Sequence, residues 1–185
     1  NYLNQIGWQT KERWGREVKL PDNFAFDKVA FDQYYPLNYF KQLGVTKANN
    51  QSLSTYDIQA ELYLPSGHKG PAFLIYPNFN VIMTWNLSKS YALSVGILAN
   101  KLIGAKGIEF SNKEQTKVKP YSVVQMKNLQ SQLNSLGFET GKPDGIWGPK
   151  SRQAIRSFQL KHQLIADGYP NKEVFETIKS VMGEA

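Results

Sequence analysis

Between Leu129 and Gly168 the chain reads LQSQLNSLGFETGKPDGIWGPKSRQAIRSFQLKHQLIADG, and helix periodicity, turn chemistry and stop signals agree along the whole stretch. Agreement across levels marks a folded unit. Leu129, Leu133 and Leu136 recur at spacings of four and three, which places one apolar stripe on a helix that begins near Ser122 and stops at Gly137. Gly137 is the expected left-handed cap. After a loop carrying Gly141, Pro143, Asp144 and Gly145, the Gly148-Pro149 pair opens a second helix, with proline where a missing N–H costs nothing. Ala154, Ile155, Phe158 and Leu160 supply its buried side. Asp167-Gly168 closes a second turn, and Val174, Phe175, Ile178 and Val181 mark a third, shorter helix. Three amphipathic helices in about sixty residues make a small bundle near the lower size limit for an independent core.

The preceding residues show a different grammar. Tyr2, Leu3, Ile6 and Trp8 read as the end of a helix already under way, stopped at Gly7. A chain that opens in mid-helix is expected to be a mature or truncated piece. Trp14 to Pro21 reads as a short strand or extended arm, and Phe31 to Leu43 as a helix whose Tyr35, Tyr39, Phe40 and Leu43 share a face across Pro36. Tyr56, Ile58, Ala60, Leu62 and Leu64 alternate with polar residues, and Ala72 to Tyr76 returns after a glycine-rich turn. That is a hairpin signature. A further helix runs from Asn86 or Ser88 to Gly104, carrying Tyr91, Ala92, Val95, Leu98, Ala99 and Leu102 at helical spacing. Lys106 to Pro120 turns charged and polar. The expected division is residues 1–108, a linker at 109–120, and the bundle at 121–185. The fold class is α+β, mainly α.

Composition removes several classes of function. Without cysteine there is no disulfide framework and no thiolate metal site. No apolar run approaches the ~18 residues of a membrane span. A net charge of +7 favours an anionic partner. Residues 1–120 hold 14 Lys+Arg against 9 Asp+Glu and the remainder 8 against 6, so most of the excess lies outside the bundle. No clustered basic face with stacking aromatics and no zinc spacing points to nucleic acid. His68, in a turn, and His162, near a helix end, read as solvated residues, and their separation offers no metal-site spacing. No cofactor is expected.

Two resemblances follow from these residues. The order LxxxLNxLGF, DGxWGPxSxxAIxxFQ, LxxDG, spanning Val123 to Met182, resembles the peptidoglycan-binding domain that bacteria append to cell-wall hydrolases. The strings NYLNQIGW, WGREVKLP, the hairpin and PNFNVIMTWNLSKSYALSV, spanning about residues 1–102, resemble the latter part of the catalytic domain of the membrane-bound lytic transglycosylase B family. That resemblance implies part of a lysozyme-like domain acting on peptidoglycan. It also implies a single glutamate that protonates the leaving oxygen and then takes the proton of the sugar's C6 hydroxyl, giving 1,6-anhydro-muramyl ends. An ordinary glycosidase instead needs two carboxylates. The family's acid sits in an ESNFG-like motif followed by a glycine- and glutamine-containing cleft motif, and neither string occurs here. Glu12, Glu17, Glu61, Glu109 and Glu114 match none of it, so no catalytic residue is assigned.

The family's NFxxIxxxNxSxxYA pattern implies a substrate cleft, and Asn78, Phe79, Ile82, Asn86, Ser88, Tyr91 and Ala92 occupy its positions. Trp85 stands where a tyrosine is commoner. Asn78, Asn86, Ser88 and Tyr91 are the expected substrate-binding residues, since amides and hydroxyls can orient the sugar and stabilise developing charge by neutral dipoles. Each has a competing structural reading. Asn86 and Ser88 can cap a helix, Tyr91 can be core, and Asn78 can be a turn residue. In the bundle, Asp144, Trp147 and Arg152 are the expected wall-binding residues, with Arg152 facing a stem-peptide carboxylate. Asp144 and Asp167 equally suit turn formation ahead of glycine.

The expected partners are peptidoglycan glycan strands and stem peptides, with an upstream segment completing the catalytic domain. The expected location is the bacterial periplasm or cell envelope, with any membrane anchor lying upstream. The competing expectation is a wall-binding protein that cuts nothing.

Overall fold

The computed structural model describes residues 2–105, 108 and 121–183, and the chain divides into two compact units. The expected linker at 109–120 lies outside the described residues.

The first unit is built from residues 1–25, 31–65 and 71–111. Its elements are α1 (Tyr2–Gln5), β1 (Gly15–Lys19), β2 (Tyr35–Pro36), α2 (Leu37–Gln42), β3 (Thr46–Lys47), β4 (Gln59–Tyr63), β5 (Ala72–Ile75), α3 (Pro77–Met83) and α4 (Lys89–Leu102). The strands form one antiparallel sheet in the order β2-β4-β5-β1-β3. The expected hairpin is its centre, with Tyr63 opposite Phe73 and Glu61 opposite Ile75. The expected Trp14–Pro21 arm is the strand beside it, with Gly15 opposite Ile75 and Val18 opposite Ala72.

Two expectations need correction. The helix expected over residues 31–43 is only α2, because Pro36 cannot donate within a helix and instead sits at the N-cap. Ahead of it Tyr35–Pro36 pairs with β4. The alternation in β4 implied one solvated face, yet Ala60, Glu61, Leu62 and Tyr63 are all buried. The sheet is covered on both sides. One apolar cluster joins Trp14, Tyr63, Phe73 and Ile75 to Phe79 and Ile82 of α3 and Ala92 and Leu93 of α4. Gly96 permits that packing, since a Cβ there would lie 2.5 Å from the Trp14 ring.

The second unit holds residues 112–185 with two short segments, 26–30 and 66–70. Its helices are α5 (Val123–Ser135), α6 (Pro149–Lys161) and α7 (Lys172–Met182). Ser122 and Gln125 form a reciprocal capping box at the start of α5. Pro149 opens α6 as expected, and the Asn171 side chain caps α7. Gly137 takes φ 84°, and the N–H of Phe138 reaches back to the Leu133 carbonyl at 2.9 Å. That is a Schellman stop. Met126, Leu129, Leu133, Ile155, Phe158, Val174 and Ile178 form the core. Leu160, expected on the buried side of α6, is exposed, as is Val181 near the end of α7.

Candidate functional site

In the first unit the loop from α3 to α4 carries two of the four expected substrate-binding residues, Asn86 and Ser88. Trp85, Asn86, Leu87 and Ser88 are exposed, and Tyr91 follows in the first turn of α4. Asn86 Oδ1 accepts from the Ser88 N–H at 3.0 Å, and Ser88 Oγ accepts from the Tyr91 N–H at 3.3 Å. Each side chain thereby fixes the next. Ser88 is the N-cap, so the structural reading of that residue holds. Asn86 spends only its carbonyl oxygen on this turn, leaving its NH₂ group as a donor. Tyr91 is 44% exposed, so it is not a core residue, and Trp85 is 53% exposed. The rings of Tyr2 and Trp85 lie 5.9 Å apart. This exposed group of aromatic faces and amide donors has the chemistry of a sugar-binding surface.

Asn78 is different. It lies in the first turn of α3, fully buried at 0% exposure. Its Nδ2 donates to the carbonyls of Gln9 and Glu12, both at 2.9 Å, and its Oδ1 accepts from the Gln9 N–H at 2.8 Å. Every hydrogen-bonding position faces the 9–12 loop. The expectation that Asn78 lines the cleft is corrected: it clasps the loop leading into β1. Phe79 is likewise buried, as its packing reading required.

Sequence reasoning missed Lys89. Its ammonium is bonded to Asp32 Oδ1 at 2.6 Å and to Glu61, and it lies 5.7 Å from the Tyr63 ring centre. Glu61 is only 3% exposed. A lysine at the first position of a helix opposes the positive end of the helix dipole, so its placement directly after the Ser88 cap could have signalled a carboxylate partner. The pair ties α4 to β4 and holds the loop that presents Asn86. Nearby, the Tyr34 hydroxyl accepts from Asn80 Nδ2 at 3.0 Å. Burial, then the neighbouring Glu61 carboxylate, push its pKa up to about 12.

In the second unit, Gln130 of α5 is buried. Its amide donates to Asp144 Oδ1 at 3.0 Å, to the Ile146 carbonyl and to Ser151 Oγ, while its carbonyl accepts from the Gly145 N–H at 2.8 Å. Asp144 Oδ1 also accepts from the Ile146 N–H at 2.8 Å. The Gln130 amide and then that N–H hold the Asp144 carboxyl below the usual range. Asp144 is exposed. Trp147 donates its indole N–H to the Gly168 carbonyl at 3.1 Å and packs edge-on against Tyr169. The Arg152 guanidinium carbon sits 4.6 Å from the Trp147 ring centre, an almost fully buried cation–π stack. Trp147 and Arg152 are therefore in contact, and Asp144 lies on the loop that leads to them.

His68 is not the solvated residue expected. Its backbone N–H donates to Asp167 Oδ2 at 2.9 Å, and its ring Nδ1 lies 2.5 Å from the same oxygen. Asp167 is 2% exposed. Burial alone would raise its pKa, but the bonds from His68, the Tyr169 N–H and the Gln159 amide hold it below the usual value. Among the described residues no group of three or more His, Cys, Asp or Glu side chains is placed to hold a metal ion.

Comparison with known proteins places this geometry. Residues 1–100 match the model of the transglycosylase SLT domain, more than half of the chain. The chain belongs to the SLT transglycosylase family. Residues 122–178 match a peptidoglycan-binding domain model. SltB3 from Pseudomonas aeruginosa, solved in complex with NAG-anhNAM-pentapeptide, is 37% identical with a TM-score of 0.85, covering 97% of this chain and 48% of that one. Its complex with NAG-NAM-pentapeptide matches at 36% identity and a TM-score of 0.84, covering 96% and 48%. The chain thus spans about half the length of these relatives. Among curated protein sequences there is no match. The α+β fold with its antiparallel sheet is that of this transglycosylase family. Domains of this family and the peptidoglycan-binding module imply the cell envelope. Among the described residues no helix is long and apolar enough to cross a membrane.

Proposed function

We propose that residues 1–108 are the carboxy-terminal part of the catalytic domain of a peptidoglycan lytic transglycosylase, that 109–120 are a linker, and that 121–185 hold the enzyme on its insoluble substrate in the periplasm. The observation that carries this reading is the 37% identity, over 97% of this chain, to a protein solved with an anhydro-muramyl pentapeptide. An anhydro sugar is the product of attack by the sugar's own C6 oxygen on C1. In that reaction the acid's proton goes to the departing glycosidic oxygen, and the resulting carboxylate accepts the C6 hydroxyl proton.

The proton donor is supplied from outside these 185 residues. What this chain contributes is binding and orientation. The Asn86 NH₂ and Tyr91 hydroxyl orient the acetamido and hydroxyl groups of the sugar, with Trp85 and Tyr2 covering its faces. Ser88 fixes the turn that presents Asn86. In the bundle Asp144 and Trp147 face the wall, and the buried Arg152 stacked on Trp147 supplies positive charge for a stem-peptide carboxylate that approaches that ring. Linking a cleft to a second wall site raises its local concentration on the polymer.

The absence of an ESNFG-like motif from the sequence favours a second reading, a wall-binding protein without cleavage. Mass spectrometry of murein fragments released by the protein purified from its own cells separates the two. The transglycosylase reading expects 1,6-anhydro-muramyl ends. Reducing ends would overturn it in favour of hydrolysis, and no release would favour the binding protein.

A further inference from the structure

The first unit contains a cavity of about 250 Å³ that lies away from the exposed aromatic group. It reaches Asn100 of α4, nine residues beyond Tyr91, or roughly 14 Å along a helix that rises about 1.5 Å per residue. The strand pairing creates it. β3 pairs only with Val18 and Lys19 of β1, so the Gly15–Glu17 stretch has no strand on that side among the described residues. An open strand edge presents backbone donors and acceptors to whatever lies beside it.

The charged residues around that edge are mostly cationic. Among the described residues Arg13, Arg16 and Lys47 line the cavity together with Asn49 and Asn100, against the carboxylate of Glu17. Among the described residues none of the three cations makes an ion pair. The Arg16 guanidinium lies beside the Tyr76 hydroxyl, and its Nε is buried without an acceptor. Asn100 gives its Oδ1 to the Trp14 indole N–H at 3.3 Å, which leaves its NH₂ group for another partner. Three cationic residues line one small cavity, and the buried Nε of Arg16 has no acceptor; an anion that enters offsets both costs.

We propose that this cavity is a binding site for a small oxyanion, a carboxylate or phosphate group, anchored by Arg16 and Lys47 with the asparagine amides as neutral donors. The proposal stands apart from the catalytic reading, since it invokes neither the exposed aromatic group nor the bundle. It provides a second point at which a charged wall component engages the unit that carries the cleft surface.

The test uses the full 185-residue chain and nuclear magnetic resonance of two reporters, the Trp14 indole N–H and the Asn100 side-chain amide. Inorganic phosphate and N-acetyl-D-alanine are titrated separately at constant ionic strength, with chloride as control. Saturable shifts at both reporters are expected with at least one probe, and the probe that saturates identifies the source as phosphate or peptide carboxylate. Lys47→Gln should weaken that binding about tenfold, the scale of one charge-assisted hydrogen bond. Arg16→Gln should abolish it, and where that variant fails to fold, Arg13→Gln takes its place with a smaller loss. Shifts no larger than those in chloride, or equal affinity in Lys47→Gln, would overturn the proposal.

Discussion

The two Asp-Gly turns of the bundle share one wiring. In each, a buried glutamine on the preceding helix donates its amide to the aspartate Oδ1 and accepts the glycine N–H on its carbonyl: Gln130 with Asp144 and Gly145, Gln159 with Asp167 and Gly168. The two then part company. Asp144 is exposed, and its Oδ2 takes no hydrogen bond from the described residues. Asp167 is buried, and its Oδ2 takes both the backbone and the ring of His68. The same local turn can thus be left open to a ligand or closed on another part of the chain. The distant partner decides which.

The largest effect should come from breaking the closed turn. Asp167→Ala removes a buried carboxylate that satisfies several donors, and at roughly 1.5–3 kcal/mol for hydrogen bonds to a charged group it should lower the stability of the second unit by about 3 kcal/mol in urea unfolding at neutral pH. A loss below about 1 kcal/mol would show that the His68 contact contributes little. The same carboxylate sets a pH dependence. Its folded pKa lies below its unfolded value, so its contribution is present above the unfolded carboxylate pKa of about 3.9 and is lost as pH falls through the folded value. The urea midpoint of the parent chain should therefore fall more steeply than that of Asp167→Ala as pH drops below about 4.

The open turn should respond in the opposite way. Asp144→Ala should move the urea midpoint far less than Asp167→Ala yet reduce the fraction of chain that sediments with purified sacculi. Equal loss of stability in the two variants would erase the distinction between the turns. The smallest effect concerns the helix stops beside them. After α5 the left-handed position is Gly137, whereas after α6 it is Gln163 at φ 56°. Gln163→Gly relieves roughly 1–2 kcal/mol of left-handed strain against a glycine entropy cost of roughly 0.5–1 kcal/mol, so it should stabilise the bundle by about 0.5–1 kcal/mol. Thermal unfolding of the two chains checks it.

The bundle was legible because its signals are local. Leucine spacing, the Ser122 cap, Gly137 and Pro149 each lie within a turn of the structure they determine. The first unit was legible only in pieces. Its hairpin and the strand at Trp14–Pro21 were readable, but their assembly into five strands depends on pairings between distant segments, which periodicity does not encode. The functional residues divide along the same line. The Asn86, Ser88 and Tyr91 group follows from one short pattern, and the structure shows its members exposed or capping within a single turn. Lys89 with Asp32, and His68 with Asp167, lie 57 and 99 residues apart in sequence. Only the fold brings them together. Asn78 is a case of the same kind: the family pattern puts it in the cleft and its place after proline suggests a turn, whereas its three bonds to the 9–12 loop cannot be seen without the contact.

The central claim is that these residues grip peptidoglycan while the proton donor lies elsewhere. Incubating the 185-residue chain with purified sacculi, then separating pellet from supernatant and analysing both for muropeptides, tests the two halves at once. The account predicts chain in the pellet, displaced by soluble glycan strands, and no anhydro-muramyl fragments in the supernatant. Chain remaining wholly soluble, or anhydro fragments released by these residues alone, would contradict it.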